Sequence, residues 1–425
     1  MNAAVQTGVI DHYRAAFGDS VGGAADAVSA ARSAAFAHFE SLGFPSPREE
    51  AWKYTSLRRL ESRRYPAASA GPAAPATGEA GTVRVVDGRL AALGPLPHGL
   101  RVRTLAEAVA DGEAPASLLR VPVGGGTERF AALNAAFAPE PLVIDVEDGC
   151  VVEAPLHVVL EARRPSAVSY PRLAIRLGRG ASARFALEHR GDDEERFVNS
   201  CLDIEIGPDA RAELCRLQGH GDRTFVIERI EATLAQRATL AVHEAALGGG
   251  QSRLDLHARL AAPGSGFSAH GLFLSDGARH HDTHVRVDHF APATTSEMDF
   301  RGIAAARGRG VWIGKAVVHP GAQGTRARQA SRNLLLSAGA EIDTRPELEI
   351  YADDVQCSHG ATTGQLDPAA LFYLRSRGLD ASSARAALTR AFAAPVLARA
   401  TVTDHVERVR ARLDDRFATL LSGAA

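Results

Sequence analysis

The stretch LEIYADDVQCSHGATTGQLD, from Leu348 to Asp367, is the part of this chain densest in side chains able to do chemistry. If it is extended, alternation of faces puts Cys357 and His359 on one side of the strand, about 7 Å apart. A thiolate and an imidazole are both plausible ligands for iron or sulfur species. Asp353 and Asp354 then diverge to opposite faces, which argues against a paired-carboxylate hydrolase. A cluster normally takes four ligands, so one cysteine and one histidine require a second chain to complete any such site. The plainer reading keeps Cys357 as a small packed hydrophobe, with Ser358 and His359 merely finishing the β-region.

His270, His280, His281, His284 and His289 form a second concentration. Imidazole is the commonest metal ligand. In a strand, however, His281 and His284 face opposite ways, while His280 and His284 share a face but lie far apart. The favoured expectation is a set of polar, solvent-facing side chains. Nucleotide chemistry fails on inspection: after Gly314-Lys315 stands Ala316, where a phosphate loop needs Ser or Thr, and Gly310 is one residue too close. The glycine triplets at 124–126 and 248–250 have no strand-then-helix context and read as loops. The four cysteines, Cys150, Cys201, Cys215 and Cys357, contain no CxxC pair. That spacing fits a reducing compartment better than a disulfide framework.

Regular elements must position these groups. Val5–Phe17 and Ala24–Leu42 have helical apolar spacing, closed by Gly43, Pro45 and Pro47. A short helix is predicted to carry Trp52, Leu57 and Leu60. Pro66 to Gly81 reads as a Pro/Gly/Ala linker, Thr82–Val86 as a strand, and Thr104-x-x-Glu107 as a capping box. From about Pro141, period-2 alternation dominates, as in Leu173/Ile175/Leu177, Leu202/Ile204/Ile206 and Leu254/Leu256. Turns of small residues recur roughly every 28 residues, inside the range of a solenoid. The predicted class is mainly β, a parallel β-helix flanked by helical regions, with a β-sandwich as the alternative. The expected division is 1–140 helical, 141–366 β-helix and 367–425 helical. Asp367-Pro368 starts the C-terminal helices, and Val402, Val406, Val409, Leu413, Phe417 and Leu420 form one apolar stripe. That stripe is expected to pack locally, so that removing residues after Leu366 leaves the β-core folded.

The bulk numbers exclude several classes. With 45% hydrophobic and 23% charged residues and a formal charge of −2, there is no electrostatic reason to expect nucleic acid or an anionic membrane as partner. Lys53 and Lys315 are the only lysines. The start lacks a basic, apolar leader, and no run approaches the roughly 20 apolar residues of a membrane span, so the cytoplasm is the expected location.

Three segments carry a family resemblance. Gln329–Leu379 resembles the C-terminal signature of the SufD branch of the SufB/SufD family, components of the SUF iron–sulfur cluster assembly scaffold. REEAWKYTSLRRL, Arg48 to Leu60, is similar to the family's N-terminal element, and GKAVVHPGAQGTRARQ from Gly314 to Gln329 is also family-like. The resemblance implies the same helix, β-helix, helix order. It implies a SufB paralogue paired through the β-helix, a SufC ATPase docked on the C-terminal helices, and sulfur supplied by a cysteine desulfurase system. The paralogue's important cysteine falls near Ser331 to Asn333, where this chain has none. His359 matches the family histidine thought to lie at the shared interface, with Cys357 a weaker companion. Leu371, Phe372, Tyr373, Arg375, Arg377, Val402 and Val406 are the expected interface residues of the C-terminal region. The expected role is therefore a non-enzymatic scaffold that holds no stable cluster or other cofactor alone and carries one transiently in the complex. The rivals are a β-helix polysaccharide lyase, disfavoured by 6% aromatics and the missing leader, and a self-pairing homodimer.

Overall fold

The computed structural model describes residues 3–20, 27–68, 76–121, 124 and 126–422. Ala24–Asp26 of the second predicted helix, residues 69–75 of the expected linker and Gly125 lie outside the described residues. The chain opens with α1 (Ala3–Ser20), α2 (Ala27–Leu42), a single 3-10 turn at Glu50–Trp52 and α3 (Arg58–Glu61). The one short helix predicted here is thus two separate turns. Trp52, Leu57 and Leu60 are nonetheless all buried. Next come β1 (Ala76–Thr77), β2 (Thr82–Val86), β3 (Arg89–Leu93), β4 (Leu100–Thr104), α4 (Leu105–Ala110), α5 (Ala116–Leu119) and α6 (Glu128–Phe137). The capping box at Thr104 and Glu107 forms reciprocally, which satisfies two of the donors a helix start leaves open.

The β-region runs through β5 (Leu142–Val146), β6 (Leu156–Glu161), β7 (Val168–Ser169), β8 (Arg172–Leu177), β9 (Ser182–Arg190), β10 (Arg196–Ile206) and β11 (Arg211–Gly219). It continues through β12 (Thr224–Leu234), β13 (Thr239–Ala246), β14 (Gln251–Leu260), β15 (Gly266–Ser275), β16 (His280–His289) and β17 (Thr295–Ala304). It closes with β18 (Arg309–Val318), β19 (Thr325–Leu335), β20 (Glu341–Ile350) and β21 (Val355–Gly364). From β8 onward, even strands build one sheet and odd strands the other, and each pairs in parallel with the strand one coil away. This is a parallel β-solenoid. Strands β2 and β4 already belong to it, pairing with β6 and β5 respectively.

Register explains the repeat. Leu173, Leu202, Ile230, Leu256, Val285, Gly314 and Pro346 are successive partners along one inward row. Phe185, Leu214, Val242, Ala269, Met298, Gln329 and His359 form the matching row of the other sheet. Each inward side chain stacks on its counterpart in the next coil, so one continuous core results.

The helical regions clasp the outer faces of this solenoid. Trp52 donates its indole N–H to the Gly126 carbonyl at 2.8 Å, and the Arg253 guanidinium lies 4.1 Å from the Trp52 ring centre. Phe130, Phe197, Phe225 and Ile227 extend the same cluster from α6 onto the even-strand sheet. At the other end of the chain come α7 (Pro368–Ser376), α8 (Ala381–Leu397) and α9 (Thr403–Ser422). Asp367 and Asp380 cap α7 and α8 with their carboxylates, and Gly378 adopts φ +97° between them.

The apolar stripe of α9 does not pack locally as expected. Val406, Val409, Leu413 and Phe417 join Ala393, Val396 and Leu397 of α8 against Leu217, Leu247, Leu272, Leu274 and Ile303 on the odd-strand side. The stripe thus packs both on α8 and on an apolar row that the solenoid repeats from coil to coil.

Candidate functional site

Cys357 and His359 both occupy inward positions of β21, as the alternation predicts, at the terminal coil of the solenoid. No further coil covers them. Cys357 still packs against the end of the apolar core and is half-buried, and burial pushes its thiol pKa upward. His359 is exposed, because its row has run past the last covering strand. Asp353 and Asp354 lie in the turn before β21, so strand alternation does not govern them. The Asp354 backbone N–H donates to Gln323 Oε1 at 2.8 Å, which ties that turn to the previous coil.

The interior changes character toward this end. Beyond Met298 and Phe300 the inward positions of β19 are Gln329, Ser331 and Asn333, all buried. Gln329 Nε2 donates to the Glu347 carbonyl at 2.8 Å, and Asn333 Nδ2 to that of Thr362 at 3.2 Å. Gln329 Oε1, Asn333 Oδ1, Thr344 Oγ1 and Trp312 Nε1 are buried without a hydrogen-bond partner in the chain. Such groups cost free energy unless water or a second molecule meets them. Outer strands β20 and β21 end their sheets, leaving two rows of backbone donors and acceptors available for pairing. Among the described residues no three His, Cys, Asp or Glu side chains converge as a metal site. What this end can do chemically is offer one imidazole and one thiol to a shared site.

The histidine concentration is not solvent-facing, which corrects the expectation. His281 and His289 point into the solenoid. His281 bonds Ser275 Oγ and the Gly248 carbonyl, at 3.0 and 2.8 Å. His289 bonds Thr294 Oγ1 and Ser296 Oγ, at 2.8 and 2.9 Å. Burial drops the pKa of both to about 4, so they work as neutral core groups. His270 is buried on the outer face, stacked on His243 with ring centres 5.5 Å apart. His280 and His284 sit half-buried beside the N-terminal element, held by Thr55 and Asp282. Helical regions wrapped over both sheets bury what a bare solenoid would have exposed.

Of the expected C-terminal interface residues, Phe372 and Tyr373 on α7 are 75% and 56% exposed, and Leu371 is half-buried. Arg375 lies on that exposed helix, and Arg377, the residue that caps its C-terminus, lies 5.0 Å from the centre of the Tyr373 ring. Val402 and Val406 are instead buried, Val402 against Ala186 and Cys215 and Val406 in the α8–α9 cluster. They hold this chain together and present no free surface.

A charged cluster inside the core went unrecognised in the sequence. Arg216, Glu228 and Glu244 occupy inward positions, with Arg216 Nε 3.0 Å from Glu228 Oε1 and Nη1 2.5 Å from Glu244 Oε1. His189 Nε2 lies 3.1 Å from Glu228 Oε2. The signal was present as charges at inward positions of the strands, legible only once the register is known.

The fold is a solenoid of stacked coils, clasped by helices and left open at one end, with a thiol and an imidazole on its last strand. The chain belongs to the SufB/SufD family. The family model for the SUF system FeS cluster assembly SufBD core domain matches residues 159–392, more than half of the chain, and that for the SufBD protein N-terminal region matches residues 4–76. Among its relatives is the iron–sulfur cluster assembly protein SufD of Escherichia coli, 28% identical over 393 residues, or 89% of this chain and 92% of that one. An iron–sulfur cluster assembly SufBD family protein of Mycobacterium leprae is 27% identical over 89% of this chain and 92% of its own. The chloroplastic protein ABCI7 of Arabidopsis thaliana is 30% identical over 63% of this chain and 58% of its own. No described helix is long and apolar enough to cross a membrane.

Proposed function

We propose that this chain is the SufD-type, non-enzymatic scaffold subunit of a cytoplasmic SufBCD-type complex. Its open solenoid end pairs with a SufB-type paralogue, α7 docks a SufC-type ATPase, and a nascent cluster is held only transiently between chains. Sulfur reaches that complex from a cysteine desulfurase system. The observation that carries this reading is the uncovered terminal coil, where two free strand edges frame His359 and Cys357 beside a polar interior. Strand addition is a standard means of joining such edges, and His359 stands where a second solenoid would abut. The rigid coil holds the imidazole ready to ligate or to move a proton.

His359→Ala is expected to leave fold and complex intact while impairing cluster production in cells. Cys357→Ser is expected to act more mildly, because its thiol is packed against the core. In-cell complementation with gel filtration of each variant is the measurement. Full activity of His359→Ala in a normal complex would remove the imidazole from the mechanism.

For the ATPase contact, Phe372→Asp with Tyr373→Asp is expected to abolish capture of the SufC-type subunit without altering the thermal melt. Both rings already face solvent, so the folded chain loses little by the change. Unchanged pull-down would move the docking site away from α7.

A further inference from the structure

The outer face of the odd-strand sheet is covered over half its width. Helices α8 and α9 lie on its later positions, where Leu217, Leu272 and Ile303 are buried. Toward the strand starts, the same face lies open. Ala212, Leu240, Phe267 and Ala327 point into the core there, so their neighbours along each strand point outward. One outward row runs Arg211, Thr239, Gly266, Thr295, Arg326 and Gln356 through successive coils. Beside it runs Ala241, Ser268, Glu297, Arg328 and Ser358. These rows floor a trough of about 770 Å³ that crosses from β11 to β21, about 24 Å at the usual spacing of strands. Its wall on the helix side is the α8–α9 connection. Thr401 N–H there donates to Glu213 Oε1 at 2.7 Å, and Arg399 reaches Glu297 at 3.5 Å.

The charges of this trough are one-sided. Arg326 and Arg328 on its β19 side and Arg211 at its far end are exposed and, among the described residues, make no ion pair. Glu297 is the single carboxylate lining it, and although it is the register partner of Arg328 it turns to Arg399 instead. The hydroxyls of Thr239, Ser268 and Thr295 make no hydrogen bond among the described residues. We propose that the trough is a docking site for an acidic, extended segment of a partner protein. About seven extended residues cover its length. Their carboxylates would answer Arg326 and Arg328 at one end and Arg211 at the other, while their backbone meets the hydroxyls of the floor. The residues outside the described ones hold Asp26 as their single acidic side chain, so this chain does not supply the segment itself. A nucleic acid strand is a poorer match, because the one aromatic ring in the lining, Phe267, is buried and cannot stack a base. The trough lies on a sheet face, at the strand ends opposite Gly364 and α7, so it depends on neither contact proposed above.

The test uses the full-length chain and a fluorescein-labelled peptide of seven glutamates, followed by fluorescence anisotropy. Binding is expected at low salt and is expected to weaken as salt rises. Arg326→Glu with Arg328→Glu is expected to weaken it about tenfold, since each change turns an attraction into a repulsion. Ser268→Trp fills the floor without altering charge and is expected to weaken binding comparably. Arg307→Glu with Arg410→Glu makes the same change of charge on exposed residues elsewhere, and is expected to leave binding unchanged. Circular dichroism melts establish that each variant is folded. If wild type does not bind the peptide at low salt, the docking site is disproved. If the trough variants bind as wild type does, or the distant pair weakens binding as much as they do, the assignment to this trough is overturned. Tighter binding of a single-stranded oligothymidylate, lost in the same trough variants, would overturn the choice of a polypeptide.

Discussion

Deleting residues 367–425 is expected to cost the solenoid on the order of 5 kcal/mol of stability, or to precipitate it. The deletion strips α8 and α9 from Leu217, Leu247, Leu272, Leu274 and Ile303, all of them buried. Each fully buried aliphatic side chain contributes about 1.5–3 kcal/mol, and the uncovered row would form a contiguous apolar patch along several coils. Polar ties go with it. Arg412 donates to the Gly219 carbonyl at 3.1 Å and Arg416 to that of Leu247 at 3.1 Å. Urea denaturation and soluble yield of the 1–366 chain are the measurements. A soluble monomer with an unchanged midpoint would show that the helices are an independent unit. Loss of ATPase binding in that deletion would say nothing of docking, which is why the paired substitutions on α7 are the cleaner probe.

Arg216→Ala is expected to destabilise the protein by about 3–5 kcal/mol, because it takes the guanidinium from two buried carboxyl groups and leaves Glu228 with His189 alone. Arg216, Glu228 and Glu244 are 1%, 0% and 4% exposed. Burial alone would raise the Glu228 pKa, but Arg216 and His189 overcome it and hold that carboxyl well below the usual range. Burial wins at Glu244, whose pKa is pushed up to about 7, and its Oε2 has no partner. The sign follows from proton counting: between the ordinary carboxylate value and about 7, the folded chain binds more protons than the unfolded one. Stability from this group is therefore fully present below pH 4.5 or so and is lost as pH rises to about 7, by up to about 3 kcal/mol. Glu244→Gln is expected to flatten that decline and to raise the melting temperature at pH 8. Melting curves of both variants from pH 5 to 8 are the check. A Glu244→Gln protein that loses stability equally at every pH would show that the carboxylate is ionised throughout. Replacing Arg216, Glu228 and Glu244 together by aliphatic residues is expected to be near neutral, since a fully apolar row needs no charge compensation.

Much of this architecture is legible in the residues themselves. Leu173/Ile175/Leu177 and Leu202/Ile204/Ile206 announce strands because a pleat places every second side chain in the core, and both sets lie there. The recurrence of small-residue turns follows from coils of nearly constant length, and the caps of α7 and α8 follow from local hydrogen bonding at Asp367 and Asp380. Cys357 and His359 share a face for the same local reason. What no local rule contains is what lies on the far side of each face. His281 and His289 are neutral core groups because stacked coils enclose their inward face, and Val402 and Val406 are internal packing because the C-terminal region folds back over the sheet. Likewise Arg216 meets Glu228 only through a register that brings residues of opposite sheets together, and Glu341 to Glu349 become an edge only because no strand follows β20 in its sheet. Periodicity is a property of one strand and is written in its own residues. Burial, ion pairing and free edges depend on contacts between coils and helices far apart in the chain, and only the tertiary structure decides those.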